Sequence, residues 1–173
     1  MLAALLTPNW TAGTTLAHLP LQHLLELPLG PIRALVLDVD RTLLPRRSIM
    51  LPPSAEQWLR QAARLMPLHL LSNNPSQRRI GRVAAQLGVP FTTSAGKPRR
   101  GALRRVVADL GLPPHQIALV GDRLFTDVLA GNRLGLYTVL VRPIDPNGAP
   151  CSHDHVQSLE IRISRWLGAM VEG

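Results

Sequence analysis

Five short apolar runs recur between residues 34 and 141, and amphipathic stretches with helical spacing separate them. The runs cover Ala34–Leu37, Leu68–Leu71, Val89–Thr93, Ile117–Val120 and Tyr137–Val141. Each is too short for a membrane span and rich enough in β-formers to be a buried strand. Between them, Trp58, Leu59, Ala62 and Leu65 recur on one helical face, as do Ile80, Val83, Ala84 and Leu87, and then Leu103, Val106, Val107 and Leu110. A further helix is predicted from about Leu124 to Leu134. Strands alternating with helices require a parallel sheet, and the right-handed crossover rule restricts it to an α/β, doubly wound, Rossmann-like fold of about five strands with helices on both faces.

The edges of these elements are marked. Pro52-Pro53-Ser54 followed by Gln57 reads as a helix start with a capping box, and Pro67 limits that helix. Gly88 and Gly111 close the next two helices. No boundary interrupts residues 32–142, which are expected to be one core. Residues 1–31 read as an irregular leader broken by Pro8, Pro20, Pro28 and Pro31, with Leu21, Leu24, Leu25 and Leu27 forming a helical turn or two that packs on the core, the preferred reading, or touches lipid. Residues 143–173 read as a Pro- and Gly-containing linker and an amphipathic helix whose Val156, Leu159, Ile163, Trp166 and Leu167 share a face beside Arg162 and Arg165. That face has two readings: docking on the core, which is preferred, or lying at a lipid interface.

Polar groups collect where the strands end. Asp38, Ser72, Lys97 and Asp122 each follow a different apolar run, and the carboxyl edge of an open α/β sheet is where ligands bind. Asp38 and Asp40 flank Val39, so period-two alternation lets both carboxylates face one small volume. Two such charges call for a cation between them or a proton on one of them. An Asp-rich turn after a strand is the plain alternative. Lys97 is the single lysine among 19 cationic side chains, which suggests a need for a compact ammonium instead of a planar guanidinium.

Composition narrows the partners. A net charge of +8 at a pI near 11.5 favours a phosphorylated ligand, nucleic acid or an acidic membrane. Aromatics make up only 3% of the chain, too few for a stacking platform, so nucleic acid is the less favoured of these. The single Cys151 excludes an internal disulfide, and His153, Asp154 and His155 are not assigned as a zinc site. The apolar start, Met1–Leu6, lacks the basic residue and length of a signal peptide, and no run approaches the roughly 18 residues of a membrane span. The expectation is a cytoplasmic protein that can be peripheral to a membrane, with its oligomeric state open.

The segments Asp38-Val-Asp-Arg-Thr42, Leu71-Ser-Asn73, Lys97-Pro98 and Gly121-Asp-Arg-Leu-Phe-Thr-Asp127 resemble, in order and spacing, the four motifs of the haloacid dehalogenase-like (HAD) phosphatases. The resemblance covers about residues 30–142. It is closest to the IIIA-type, YqeG-like branch that includes phosphatidylglycerophosphate phosphatases, with Gly131-Asn-Arg-Leu-Gly135 the most branch-specific part. It implies Asp38 as the nucleophile that becomes an aspartyl phosphate, Asp40 as general acid and base, and Lys97 as the neutraliser of developing charge. It also implies Mg²⁺ held by the Asp38 carboxylate, the Asp40 backbone carbonyl, Asp122 and waters, with Asp127 in water-mediated contact or serving a helix start. Ser72 and Asn73 would hydrogen-bond the phosphoryl oxygens while Thr42 braces the first loop.

Neither Thr42–Ser72 nor Asn74–Lys97 is long enough for a cap domain, so the resemblance implies an open site suited to a bulky phosphomonoester such as a lipid. Arg41, Arg46, Arg47, Arg78, Arg79, Arg99, Arg100 and Arg123 lie in or near loops at that edge. Arg41 replaces the small or uncharged residue more usual in the family and is read as a contact for a second anionic group. The competing functions are a HAD phosphatase of another phosphomonoester and a non-catalytic module that holds nucleic acid or acidic membrane on the basic edge. A response-regulator receiver is set aside because its lysine follows the last strand, whereas Lys97 follows the third.

Overall fold

The computed structural model describes residues 2–172. Its centre is a six-stranded parallel sheet in the order β1-β6-β5-β2-β3-β4. The strands are β1 (Trp10–Thr11), β2 (Ala34–Leu37), β3 (Leu68–Leu71), β4 (Phe91–Thr92), β5 (Ile117–Gly121) and β6 (Tyr137–Leu140). Every residue of β2, β3 and β5 is buried, the burial that unbroken apolar runs need when helices cover both sheet faces. The alternation within β2 divides the core. Leu35 and Leu37 pack with Trp58, Leu59, Ala62, Ile80 and Val83, while Ala34 and Val36 pack with Leu103 and Val106 on the other face.

The helices are α1 (Leu2–Leu6), α2 (Leu21–Leu25), α3 (Pro53–Leu65), α4 (Gln77–Leu87), α5 (Gly101–Leu110), α6 (Leu129–Asn132) and α7 (His155–Trp166). Gly88 and Gly111 end α4 and α5 in the left-handed conformation, as their positions predict. The capping box expected at Ser54 and Gln57 does not form: Pro52 is the flanking residue, and proline at the first turn starts α3 without a side-chain cap. Leu65, expected on the buried face, is 55% exposed at the last turn. The helix expected from Leu124 begins instead as a wide π turn over Leu124–Val128 and becomes α-helical only over α6.

The leader contributes more than an irregular strap. Trp10 and Thr11 pair with Val139 and Leu140, adding the sixth strand at the sheet edge, and Leu24 of α2 is fully buried against the core. Two residues show no periodicity, which explains why β1 escapes a pattern-based reading.

The larger difference is in α7. Its buried residues are Glu160 and Ser164, not the apolar face, and Val156, Leu159, Ile163 and Trp166 are all exposed. The reason is polar: Glu160 accepts hydrogen bonds from Arg123 Nε at 2.8 Å and from the Leu124 backbone N–H at 2.9 Å. A half-buried guanidinium and a buried amide require an acceptor more than the core requires another leucine.

Candidate active site

Strand order places the site. From β2 the sheet grows one way through β3 to β4 and the other way through β5 to β6, so the winding reverses between β2 and β5, where a crevice opens beyond the strand ends. Leu37 is in register with Val120, and the Asp38 N–H donates to the Val120 carbonyl at 2.9 Å. Asp38 at the end of β2 and Asp122 at the end of β5 are therefore neighbours by sheet geometry alone. Val39, fully buried, faces the core as the alternation requires.

Lys97 crosses to them from the loop after β4. Its Nζ lies 2.6 Å from Asp38 Oδ1 and 2.6 Å from Asp127 Oδ1, and donates to the Leu71 carbonyl at 3.0 Å. The loop is clamped: Asn73 Nδ2 donates to the Lys97 carbonyl at 3.0 Å, and the Lys97 N–H donates to Asn73 Oδ1 at 2.8 Å. The Asn73 side chain thus orients the lysine. Thr42 Oγ1 donates to Asp38 Oδ2 at 3.0 Å, fixing the other side of that carboxylate.

Asp38, Asp122 and Asp127 bring one carboxylate oxygen each to within 4.8 Å of one another, all from buried residues. Asp122 is 2% exposed and has no ion-pair partner among the described residues. Burial, with the charges of Asp38 and Asp127 added, holds its carboxyl well above the usual carboxylate range. Burial also pushes Asp38 up to about 6, with Lys97 pulling it down and Asp127 pushing it further up. Burial opposes the charge on Lys97, but the two aspartates outweigh it and its ammonium is held more tightly than an ordinary lysine's. Three buried carboxylates around one ammonium leave an excess of negative charge. Hard oxygen donors in this arrangement suit Mg²⁺.

Asp127 stands beside Asp38 and Asp122, with Oδ1 on Lys97 Nζ at 2.6 Å and Oδ2 accepting from the Arg123 N–H at 3.2 Å. The Asp40 side chain is turned away from the triad toward Arg79 Nη2 at 2.8 Å. Asp40 Oδ1 and Arg79 Nη1 are both buried without hydrogen-bond partners. Ser72 Oγ is 3.5 Å from Asp40 Oδ2 and accepts from the Asn74 N–H at 3.0 Å.

Together these groups line a cavity of about 490 Å³, rimmed by Arg41, Arg46, Arg47, Arg79 and Arg123. Arg78, Arg99 and Arg100, also expected near the mouth, do not line it. Arg41 has a left-handed backbone, φ 68°, and its guanidinium pairs with Asp154 at the start of α7. Burial opposes the Arg41 charge, yet Asp154 outweighs it and raises the basicity of the group. Arg41 therefore reaches the cavity already partnered.

Elements outside the four motifs complete the walls. Gln157 Nε2 donates to the carbonyls of Asp122 at 2.7 Å and Val141 at 2.9 Å, while Glu160 holds Arg123 and Leu124. Arg79 was expected at this edge among the other arginines, whereas Asp154, Gln157 and Glu160 were not among the candidate residues of the site. Nothing local marked those two acids and the amide as part of the site.

The family model described as HAD-hydrolase-like matches residues 94–143. The probable phosphatase YqeG of Bacillus subtilis (strain 168) is 32% identical over 114 residues, 65% of this chain and 66% of that protein. By sequence and by fold the chain is similar to the HAD-like hydrolases. The chloroplastic phosphatidylglycerophosphate phosphatase 1 of Chlamydomonas reinhardtii is 33% identical over 54% of this chain and 35% of its own length. The chain thus spans just under two thirds of the first HAD-like relative and about a third of the second. Among solved structures, one described as a HAD-like phosphatase from Mesorhizobium loti superposes with a TM-score of 0.51 at 19% identity, covering 82% of this chain and 90% of that one. That likeness is one of HAD fold.

Proposed function

We propose that this HAD-like chain is a Mg²⁺-dependent phosphomonoester hydrolase that acts through an aspartyl phosphate, with phosphatidylglycerophosphate as its substrate. One observation carries the reading: the sole lysine joins two carboxylates at 2.6 Å, and a third, cation-free carboxylate points at the same place. The phosphatidylglycerophosphate phosphatase relatives support the substrate.

In the mechanism, an Asp38 carboxylate oxygen attacks phosphorus and the ester P–O bond breaks. The departing alkoxide takes a proton from the Asp40 carboxyl and leaves as the alcohol. Water then attacks the phosphorus of the aspartyl phosphate, giving its proton back to Asp40. Inorganic phosphate is released and the Asp38 carboxylate is restored. Ser72 and the Asn73 backbone would hydrogen-bond the phosphoryl oxygens, and Lys97 would offset the charge gathering on them. Asp38, Asp122, Asp127 and the Asp40 carbonyl would hold the Mg²⁺, whose contribution when bound is neutralisation of phosphoryl charge.

Among the described residues no cap is inserted over the cavity, since loops alone join β2 to α3 and β3 to α4, and this suits a headgroup that stays attached to its lipid. Arg46 and Arg47, exposed on the rim without ion-pair partners among the described residues, are better placed than the partnered Arg41 to meet a second anionic group. The test is a panel of phosphatidylglycerophosphate, sugar phosphates, nucleotides, phosphopeptides and p-nitrophenyl phosphate, with Mg²⁺ or with EDTA. Hydrolysis of the lipid is expected to be fastest, and to be lost with EDTA and in Asp38→Asn. A soluble phosphate turned over more efficiently than the lipid overturns the substrate, and no Mg²⁺-dependent turnover of any member overturns the reaction.

A further inference from the structure

The outer face of α7 is unpartnered. Val156, Leu159, Ile163 and Trp166 fall within one stripe at helical spacing, and Trp166 is 85% exposed, with Met170 just beyond the helix at 80%. A contiguous apolar stripe of this kind is uncommon on a solvated surface and marks a contact. The helix is not free to roll it inward, because Glu160 is tied to Arg123 and Leu124, and Gln157 to the carbonyls of Asp122 and Val141. The face is held outward by the same bonds that fix the site.

Charge identifies what covers it. Beside the stripe runs a groove of about 310 Å³ to which Arg142, Arg162 and Arg165 contribute, with Asp154 and Glu172 as its carboxylates. Asp154 is already taken by Arg41. Among the described residues, none of the three arginines has a carboxylate within ion-pair distance. A second copy of the chain would bring the same arginines, and a net charge of +8, against each other. An anionic lipid surface satisfies both features, since it accepts the apolar side chains below its headgroups and pairs the arginines with phosphates.

We infer that α7 docks the protein on anionic bilayers, with Leu159, Ile163 and Trp166 inserted and Arg142 and Arg162 among the headgroups. The inference does not rest on the phosphatase reading, because docking needs no phosphomonoester and no turnover. It does place the cavity: α7 is about 18 Å long at 1.5 Å per residue, and Asp154, which caps its start, is bonded to the rim residue Arg41. A helix lying in the interface therefore brings the cavity mouth to the headgroup layer.

The experiment is flotation of the full chain, with Mg²⁺, on vesicles of phosphatidylcholine alone and of phosphatidylcholine mixed with phosphatidylglycerol. Binding to the mixed vesicles and not to the neutral ones is expected, with loss at high salt. Trp166→Ser and Leu159→Ser are each expected to weaken it by about tenfold, the value of one large apolar side chain withdrawn from lipid. Arg162→Glu should weaken it on mixed vesicles, and Asp38→Asn should leave it unchanged. Because Trp166 and Leu159 are exposed, these variants keep the fold, which circular dichroism verifies. Wild-type binding by both serine variants overturns the inference. So does a concentration-dependent dimer in sedimentation velocity that Trp166→Ser dissolves while vesicles capture nothing.

Discussion

Lys97 Nζ and Asp38 Oδ1 stand 2.6 Å apart with both side chains buried. The pair joins an element after β4 to the end of the central strand, and Asp127 joins it from the other side. Replacing Lys97 by Met leaves three buried carboxylates without their ammonium. Removing one partner of a buried ion pair costs about 3–5 kcal/mol, so a marked fall in thermal midpoint without Mg²⁺ is expected, along with a loss of turnover of roughly a hundredfold or more. Lys97→Arg should restore little of either, because a planar guanidinium does not fit where a point charge meets two carboxylates and a carbonyl. Thermal unfolding and kcat on p-nitrophenyl phosphate check both.

The same cluster makes stability depend on pH in an unusual direction. In the folded, metal-free chain, burial pushes Asp38 up from 3.8 to about 6 and raises Asp122 as well. Between those values the native state keeps a proton that the unfolded chain has released. Stability therefore falls as pH rises through this window, by about 3 kcal/mol for Asp38 alone. Mg²⁺ competes with these protons, so its stabilising effect should be small near about pH 5 and large above about pH 7. Thermal midpoints across that range, in EDTA and in Mg²⁺, test the sign. A metal-free protein that gains stability between 4 and 6 contradicts it.

Gly121 shows how closely the site is built. A Cβ there would lie 2.4 Å from Asp127 Cγ, so the end of β5 must be glycine for the Asp127 carboxylate to reach Lys97. Gly121→Ala is expected to displace Asp127, lowering turnover by about a hundredfold and reducing the Mg²⁺-induced rise in thermal midpoint, while costing roughly 1–3 kcal/mol. Gly101→Ala is the control. Its Cβ meets nothing within 4 Å at the start of α5, and it should leave activity unchanged and stabilise by up to about 1 kcal/mol.

What was legible in the chain depended on how local its cause was. β2, β3 and β5 follow from apolar runs, and α4 and α5 from spacing closed by glycine, because each is decided within a dozen residues. The positions of Asp38, Ser72, Lys97 and Asp122 follow from those strands, since a parallel sheet has one carboxyl edge. The pairing of Asp40 with Arg79 and of Arg41 with Asp154 did not follow, because long flexible side chains meet across loops whose course no periodicity encodes. The amphipathic pattern of α7 pointed the wrong way for a physical reason. Burying Leu159 and Trp166 would have been favourable in isolation, but Arg123 and the Leu124 N–H needed Glu160 on the inside.

That requirement makes Glu160 a positioning residue for the loop after Asp122. It is 4% exposed and accepts from Arg123 Nε at 2.8 Å, Arg123 Nη2 at 2.5 Å and Leu124 N at 2.9 Å. Glu160→Ala removes the acceptor and leaves the Arg123 guanidinium unpaired beside Asp122, which should cost about 3 kcal/mol. Glu160→Gln keeps an oxygen for the Leu124 amide and loses only the charge, so about 1–2 kcal/mol is expected. A packing role alone would lower stability and spare the kinetics of the folded fraction. Positioning should also raise the Mg²⁺ concentration needed for half-maximal rate, by roughly tenfold in Glu160→Ala, with Glu160→Gln between it and the wild type. Mg²⁺ titrations of initial rate at a temperature where all three proteins are folded separate the two, and superimposable titrations would reduce Glu160 to a structural contact.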